Sequence, residues 1–512
     1  MKTRNLFLSL FAFAAICACN KEAQPEGSKV PEILDADTYV MVNIKATGAS
    51  TRAYELGEEQ ENAVNTVDFL FYGAREEPVT ATSITWTAQT NGDNVAAKSA
   101  KIQFKAQTEK PTSMIVVLNY AGDIDALKAE SLADAKATVT TTSLYKEVGT
   151  DPFYTMSNTV YTGDESNSNA SEQVICEVEL KDGNFGETNE KGAVADATPV
   201  DVYVERVAAK VVLTNNIDPA TDVTPTDIYI NGMAEATTVT PVVVGYDVVN
   251  TPNESYLFKQ VDPSWTYPSW TKPADFRSFW ADSYASLDYI NKKYNEVHAA
   301  EVAPYVTYVH ENTSETYTTK VVLTAKLTVE DGSFGAATDG NPDVLELVQY
   351  NGKYYTLNGF ITEAKKVLKE GGNDIDDQPL KAVKSDVNNY EMYLALGDSH
   401  TVSDDVLAEA INTALKAMVA SYWNQGKCYY FTEIKHDLKA SSAPEAPFLS
   451  GVVRNHVYKV SLNSIKGLGI PVSGKETETI IPEETVDKYY SLNATINILQ
   501  WKIVEQGVDF NN

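Results

Sequence analysis

Past its first sixteen residues, this 512-residue chain has no apolar run longer than a buried strand; Met114-Ile115-Val116-Val117-Leu118 is typical. None approaches the ~18 residues that a membrane-spanning helix needs. Such segments, separated by Gly, Pro, Asn and Asp, predict many short strands and a sandwich architecture. Tyr (29) outnumbers Phe (16), which tilts the expectation further toward β structure. Strands are expected at 67–72, 83–87, 102–104, 113–120, 173–180, 200–205, 208–213, 239–248, 305–309, 318–329, 354–357, 427–434, 452–462 and 491–504. One clear helix is expected from a Ser403 N-cap through the pairs Val406/Leu407, Ala410/Ile411, Ala414/Leu415 and Met418/Val419. A weaker one is expected from Pro273 through Phe276, Phe279 and Trp280. The length suggests two or three domains.

Lys and Arg number 41 against 71 Asp and Glu, a net charge of −30, so nucleic acid is not an expected partner. The five His show no zinc spacing, and no Gly-x-Ser-x-Gly elbow occurs. Gly469-Ile470-Pro471-Val472-Ser473-Gly474-Lys475 has phosphate-loop spacing, but Glu476 stands where a magnesium-binding hydroxyl belongs, so it reads as a turn. Asp374, Asp376 and Asp377 lack the full calcium-loop pattern and read as a solvated loop. Cys428, inside Cys428-Tyr429-Tyr430-Phe431, reads as a small hydrophobe. No enzyme activity, metal or cofactor is expected.

The chain opens with Lys2 and Arg4, a short apolar core from Leu6 to Ile16, and then Ile16-Cys17-Ala18-Cys19. This reads as an export signal ending in a lipobox, with Cys19 as the lipidated residue. Cys17 fits worse, because Ile16 would then fill the small position before it. Asn20 to Lys29 is a polar tether. Next comes an alternating strand that puts Val40, Val42, Ile44 and Ala46 on one face, followed by the small-residue loop Thr47 to Ala53. That loop is a good protease target with a single basic residue, Arg52. Only six Arg occur, at 4, 52, 75, 206, 277 and 454; Arg206 and Arg454 fall in expected strands, and Arg75 is the main competitor for cleavage.

At the other end Leu492, Ala494, Ile496 and Ile498 alternate with polar residues, and the stripe then shifts parity to Leu499, Trp501 and Ile503. A bulge near Leu499 and Gln500, or a change of packing surface, would account for the shift. Such a strand is either the last of its own domain or one offered to another molecule.

Together these features resemble the fimbrillins, donor-strand type V pilins, and most closely the major stalk subunits of short fimbriae. The resemblance spans the chain. It rests on the lipobox, Ser50-Thr51-Arg52-Ala53, Val202 to Val211, Gly426 to Phe431, Val453-Arg454-Asn455-His456-Val457-Tyr458-Lys459-Val460, Ile465 to Val472, and Ile498 to Val504. It implies two transthyretin-like antiparallel β-sandwich domains completed by strand donation. The implied segments are a signal peptide (1–19), a tether and removable strand (20–52), an N-terminal sandwich (53–215), a C-terminal sandwich (216–490) and a donor strand (491–512). It also implies cleavage between Arg52 and Ala53, release of the strand bearing Val40, Val42, Ile44 and Ala46, and donation of Leu492, Ala494, Ile496, Ile498, Trp501 and Ile503 to a neighbour.

The implied partners are identical subunits, anchor and tip fimbrial subunits, a processing protease, host or bacterial surface ligands, and the outer membrane through lipid (palmitate) on the precursor. The released piece carries six basic residues (Lys2, Arg4, Lys21, Lys29, Lys45, Arg52) and five acidic ones (Glu22, Glu26, Glu32, Asp35, Asp37), so the 460 residues left hold −31. The alternative is a tip or accessory adhesin, or a surface carbohydrate-binding lipoprotein, with Trp265, Trp270 and Trp280 lining a site.

Overall fold

Alternation sets the first strand, Thr38–Ala46: Val40, Val42 and Ile44 are buried, while Tyr39, Met41 and Asn43 between them are half-buried. The computed structural model describes residues 30–46, 54–56, 61, 63–88, 98–140, 144–149, 151–159, 161–162, 174–187, 197–218, 224–230, 233–260, 288–301, 303–314, 316–329, 345–386, 390–436, 449–474, 479–480 and 491–502. The fold is mainly β. One sheet runs Pro78–Val79, Val67–Tyr72, Ser113–Leu118, Met156–Asn158, Val200–Arg206, Thr38–Ala46, Lys98–Phe104, Ser83–Ala88. Phe71 and Phe104 lie far apart in that order yet meet edge to face at 4.9 Å, so the sheet curls over its own apolar face. Leu127, Leu132 and Ala135, from the short helices Ile124–Ala129 and Leu132–Lys136, cover its other face.

The chain leaves this sheet at Val207. Ala208–Asn215 pairs with Tyr305–His310 and with His456–Lys466 in a second sheet, ordered Tyr54–Leu56, Ser491–Lys502, His456–Lys466, Ala208–Asn215, Tyr305–His310. A third sheet centred on Met233–Val249, Lys320–Val329 and Lys427–Glu433 faces the second. Val211, Leu213, Tyr458 and Val460 pack there against Val321, Leu323, Trp423 and Tyr430.

The helix expected near Ser403 is Asp405–Lys416, and its cap is Asp404, whose carboxylate accepts from the Val406 and Leu407 amides. Ile411, Leu415 and Met418 are buried, whereas Val406 is 78% exposed. A second helix, Leu357–Glu370, follows the Lys353–Thr356 strand. Thr356 caps it, and Phe360, Ala364 and Leu368 face the core at i, i+4 spacing. The helix expected from Pro273 lies outside the described residues. The 173–180 segment forms two separate two-residue pairings, Val174–Ile175 and Val178–Glu179. The strand expected at 452–462 instead starts at His456, because Asn455 adopts φ +55° and turns the chain. Pairing of the last strand is continuous through Leu499 and Gln500; the bulge lies on its neighbour, where Asn463 is the extra residue between Leu462 and Ser464.

The phosphate-loop-like stretch begins in a turn and runs into the short strand Ile470–Pro471, and Lys475 lies outside the described residues. Gly467 and Gly469 have φ +72° and +70°. A Cβ at Gly469 would sit 2.8 Å from the Tyr430 ring. The carbonyls of this turn accept from Tyr430 Oη (2.8 Å, Gly467) and Trp423 Nε1 (3.0 Å, Leu468). Ile470–Pro471 then pairs with Cys428 and Tyr429.

Candidate functional site

The first strand is central, not an edge. Residues 38–44 run antiparallel to Lys98–Phe104, and residues 42–46 run parallel to Val200–Val204. Val40 and Val42 are 0% exposed and Ile44 is 9% exposed. Ala46 pairs with Val204 along the backbone. On the strand's other face Asn43 Nδ2 donates to Asp201 Oδ1 at 3.0 Å, and Ser99 Oγ donates to Asn43 Oδ1 at 2.6 Å. Sequence reasoning passed over this clip; its one signal is an amide placed between Val42 and Ile44.

Arg52 and Ala53 lie outside the described residues, as do Cys19 and Ile503. The chain resumes at Tyr54–Leu56, which pairs in parallel with Gln500–Lys502, Glu55 lying opposite Trp501. Glu61 then enters the junction between the sheets. Its carboxylate pairs with Lys210 Nζ at 2.7 Å and accepts from Tyr308 Oη, and its carbonyl accepts from Arg206 Nε at 2.9 Å. Burial and the Glu61 and Tyr154 hydrogen bonds push the Tyr308 hydroxyl up, so it stays a donor.

The last strand pairs antiparallel with His456–Lys466, which sets Leu492, Ala494, Ile496 and Ile498 opposite Ile465, Leu462, Val460 and Tyr458. All four of those partners are buried. Among the described residues the strand's outer edge is covered by Tyr54–Leu56 alone, over Gln500–Lys502. Within this single chain, then, the last strand lies on its own sheet near an edge, and the first strand fills the middle of the other sheet.

The motif at 453–460 closes the junction. Arg454 donates from its backbone N and Nε to Glu311 (3.0 and 3.2 Å) and from Nη2 to the Tyr256 carbonyl (2.7 Å). Asn455 Oδ1 accepts from the Arg206 amide, and the Asn455 amide donates to the Ala208 carbonyl at 2.8 Å. Tyr458 Oη accepts from the Val453 amide at 2.7 Å. Arg206 and Arg454 are 0% and 1% exposed, out of reach of a protease. Arg75 is exposed, in a turn closed by the Glu76 amide donating to the Gly73 carbonyl at 3.0 Å.

Lys369 pairs with the acidic loop, 3.1 Å from Asp374 and also in contact with Asp376. Among the described residues no group of three or more His, Cys, Asp or Glu could hold a metal, and no helix is long and apolar enough to cross a membrane. Cys176 and Cys428 are buried and free; burial pushes the Cys176 thiol up to about 12 and the Cys428 thiol higher, which suppresses the reactive thiolate. Trp265, Trp270 and Trp280 lie outside the described residues.

Residues 421–507 match the family described as Major fimbrial subunit protein type IV, Fimbrillin, C-terminal, a stretch that includes the 453–460 motif and the whole last strand. No curated protein matches the chain. Similar solved structures include a candidate cell adhesion protein of Bacteroides eggerthii DSM 20697, at 14% identity and TM-score 0.37, covering 93% of this chain and 98% of that one. Another is the tip fimbrial protein Mfa3 of Porphyromonas gingivalis with C-terminal truncation, at 10% identity and TM-score 0.32, covering 91% and 100%. A fimbrial assembly protein of Parabacteroides distasonis ATCC 8503 is 12% identical with TM-score 0.28, covering 72% and 98%.

Proposed function

We propose that this chain is the structural subunit of a cell-surface fimbrium. It is exported as a lipoprotein on Cys19 and cut between Arg52 and Ala53. The cut frees the strand bearing Val40, Val42, Ile44 and Ala46. Subunits then join when Leu492, Ala494, Ile496, Ile498, Trp501 and Ile503 of one chain enter the groove left in the next. The observation that carries this reading is the central position of the first strand, which is joined to the rest of the chain only through the loop that contains Arg52.

Removing a central strand opens two ladder edges and an apolar trough at once. The three described side chains it buries are worth about 5–9 kcal/mol at roughly 1.5–3 kcal/mol each. An empty trough of that kind needs a replacement strand, and main-chain pairing with alternate side chains in pockets is the general mode of strand addition. The contact is head to tail and does not close on itself, so it makes a filament. The fimbrillin match over 421–507 supports the same reading, because it covers the strand that would be donated. A like charge of −31 on every subunit opposes side-to-side association.

The test is N-terminal sequencing of filaments sheared from cells. A start at Ala53 is expected, and filaments that begin at Cys19 overturn the processing scheme. A chain ending at Ser491 is expected to fold, to be cut and to remain monomeric; normal filaments from it overturn donation.

A further inference from the structure

We infer that the cavity between Thr66, Asp68, Tyr120 and Lys146 is a binding site for a sugar residue that carries a carboxylate. The site is separate from strand donation, because Ser113–Leu118, Met156–Asn158 and Val200–Arg206 lie between Val67–Tyr72 and the first strand.

The cavity holds about 360 Å³, within the roughly 300–1,000 Å³ of small-molecule sites. It lies at the end of the first sheet where Val67 pairs with Leu118. Thr66 and Asp68 share the parity of Leu70 and Tyr72, which pack under the two short helices. Tyr120 and Ile124 pack against that same cluster and supply the apolar wall. Two features hold the walls in place. Asn119, 0% exposed and at φ +53°, accepts with Oδ1 from the Asn65 and Thr66 amides (2.7 and 3.2 Å) and donates from Nδ2 to the Ala63 and Tyr154 carbonyls (2.9 and 3.0 Å). A Cβ at Gly122 would sit 2.5 Å from Cζ of Tyr120, so the ring lies directly on that backbone.

The polar groups of the cavity are left open. The Asn65 and Thr66 side chains, the Tyr120 hydroxyl and the Lys146 ammonium have no hydrogen-bond or ion-pair partner among the described residues. Asp68 pairs through Oδ1 with Lys128 at 2.7 Å, and its other oxygen is likewise without a partner there. A ligand therefore meets one uncompensated cation, an aromatic face and several hydroxyl and amide partners. A pyranose ring offers an apolar C–H face and hydroxyls that both donate and accept, and a carboxylate on that ring answers Lys146. Phosphate fits less well: the Asn65 and Thr66 amides are already taken by Asn119, and Asp68 opposes a dianion. The chain's charge of −30 repels anions in general, but screening over about 8 Å at physiological salt lets one close ammonium decide.

The test is calorimetry and saturation-transfer NMR on the uncut precursor, whose result does not depend on whether strands are donated. The probes are the methyl glycosides of sialic acid, glucuronic acid and glucose. At least one acidic glycoside is expected to bind with a Kd of about 1 mM, and which one binds identifies the source of the carboxylate. The glucoside is expected to bind at least about tenfold more weakly. Lys146→Gln should weaken the acidic sugar by about tenfold, Lys146→Arg should keep most of the affinity, and Thr66→Val should cost about threefold. Because these side chains have no partner among the described residues, unchanged melting temperatures are expected for all three variants. No binding of either acidic glycoside, glucoside binding as tight as theirs, or affinity unmoved by Lys146→Gln overturns the inference.

Discussion

Lys210 sets its ammonium 2.7 Å from the Glu61 carboxylate, and both side chains are nearly sealed from water, at 7% and 3% exposure. Glu61 stands only nine residues beyond Arg52. The chain is thus pinned into the junction between its sheets almost at once after the proposed cut, and removing the first strand leaves this anchor in place. Glu61→Ala should therefore destabilise the cut protein as well as the precursor. It takes the carboxylate away from a buried lysine and the acceptor away from Tyr308, and the expected loss is about 3–5 kcal/mol by urea unfolding. A loss under about 1 kcal/mol would show that the pair does not anchor the segment.

Arg454 is the corresponding anchor from the C-terminal side. Its guanidinium is shared between Glu311 and the carbonyls of Leu257 and Tyr256, so one side chain ties the second sheet to the 255–258 segment that packs on the first. A lysine keeps the charge but cannot serve three acceptors in a planar fork. Arg454→Lys is expected to lower stability by about 2–4 kcal/mol and to open the junction to limited proteolysis. Equal protease resistance would count against the junction role.

The strands at 67–72 and 320–329 were legible because alternation and β-branching act within a few residues. So was the pattern of Val40, Val42 and Ile44, which decides which face of the first strand is buried. The Leu357–Glu370 helix was hidden by the tyrosine-rich strand that runs straight into it, although Thr356, Phe360, Ala364 and Leu368 carried its signal. The ion pairs of Glu61, Glu205 and Arg454 could not be read, since a charge sealed by partners 54 to 149 residues away looks, in sequence, like any surface charge. For the same reason Asn43 passed as an ordinary polar residue of an alternating strand.

Stability should also carry a distinctive pH dependence from Glu205. Burial pushes its carboxyl from about 4.5 up to about 7, against the opposing pull of Lys259 and Arg454 and with Glu311 adding to the rise. Lys259 donates to one oxygen at 2.9 Å, and the other has no hydrogen-bond partner among the described residues. The folded chain then holds a proton between these values that the unfolded chain has lost. This contribution is full below pH 4.5 and disappears as pH rises through 7. His310 works the other way: burial lowers it to about 4, so its contribution is present above 6.5 and lost as pH falls through 4. The clean readout is a difference between proteins. Melting temperatures of wild type minus Glu205→Gln should fall from pH 5 to pH 8, and a flat difference would show that Glu205 does not titrate in that window.

The pairing of Tyr54–Leu56 with Gln500–Lys502 joins the segment just after the proposed cut to the strand proposed to leave. Three residues of parallel ladder cover the outer edge of the last strand at its C-terminal end, while the rest of that edge carries no strand among the described residues. Release of the last strand must break this ladder as well as the ten-position pairing with His456–Lys466. Glu55→Pro removes one backbone donor and disfavours the ladder geometry. Faster amide exchange is therefore expected at 500–502, with 456–466 staying protected, and the cut protein should assemble faster than wild type. Unchanged exchange would mean that the ladder contributes nothing in solution. Faster exchange with unchanged assembly would place the rate-limiting step at the longer pairing, where Leu492, Ala494, Ile496 and Ile498 must part from Ile465, Leu462, Val460 and Tyr458.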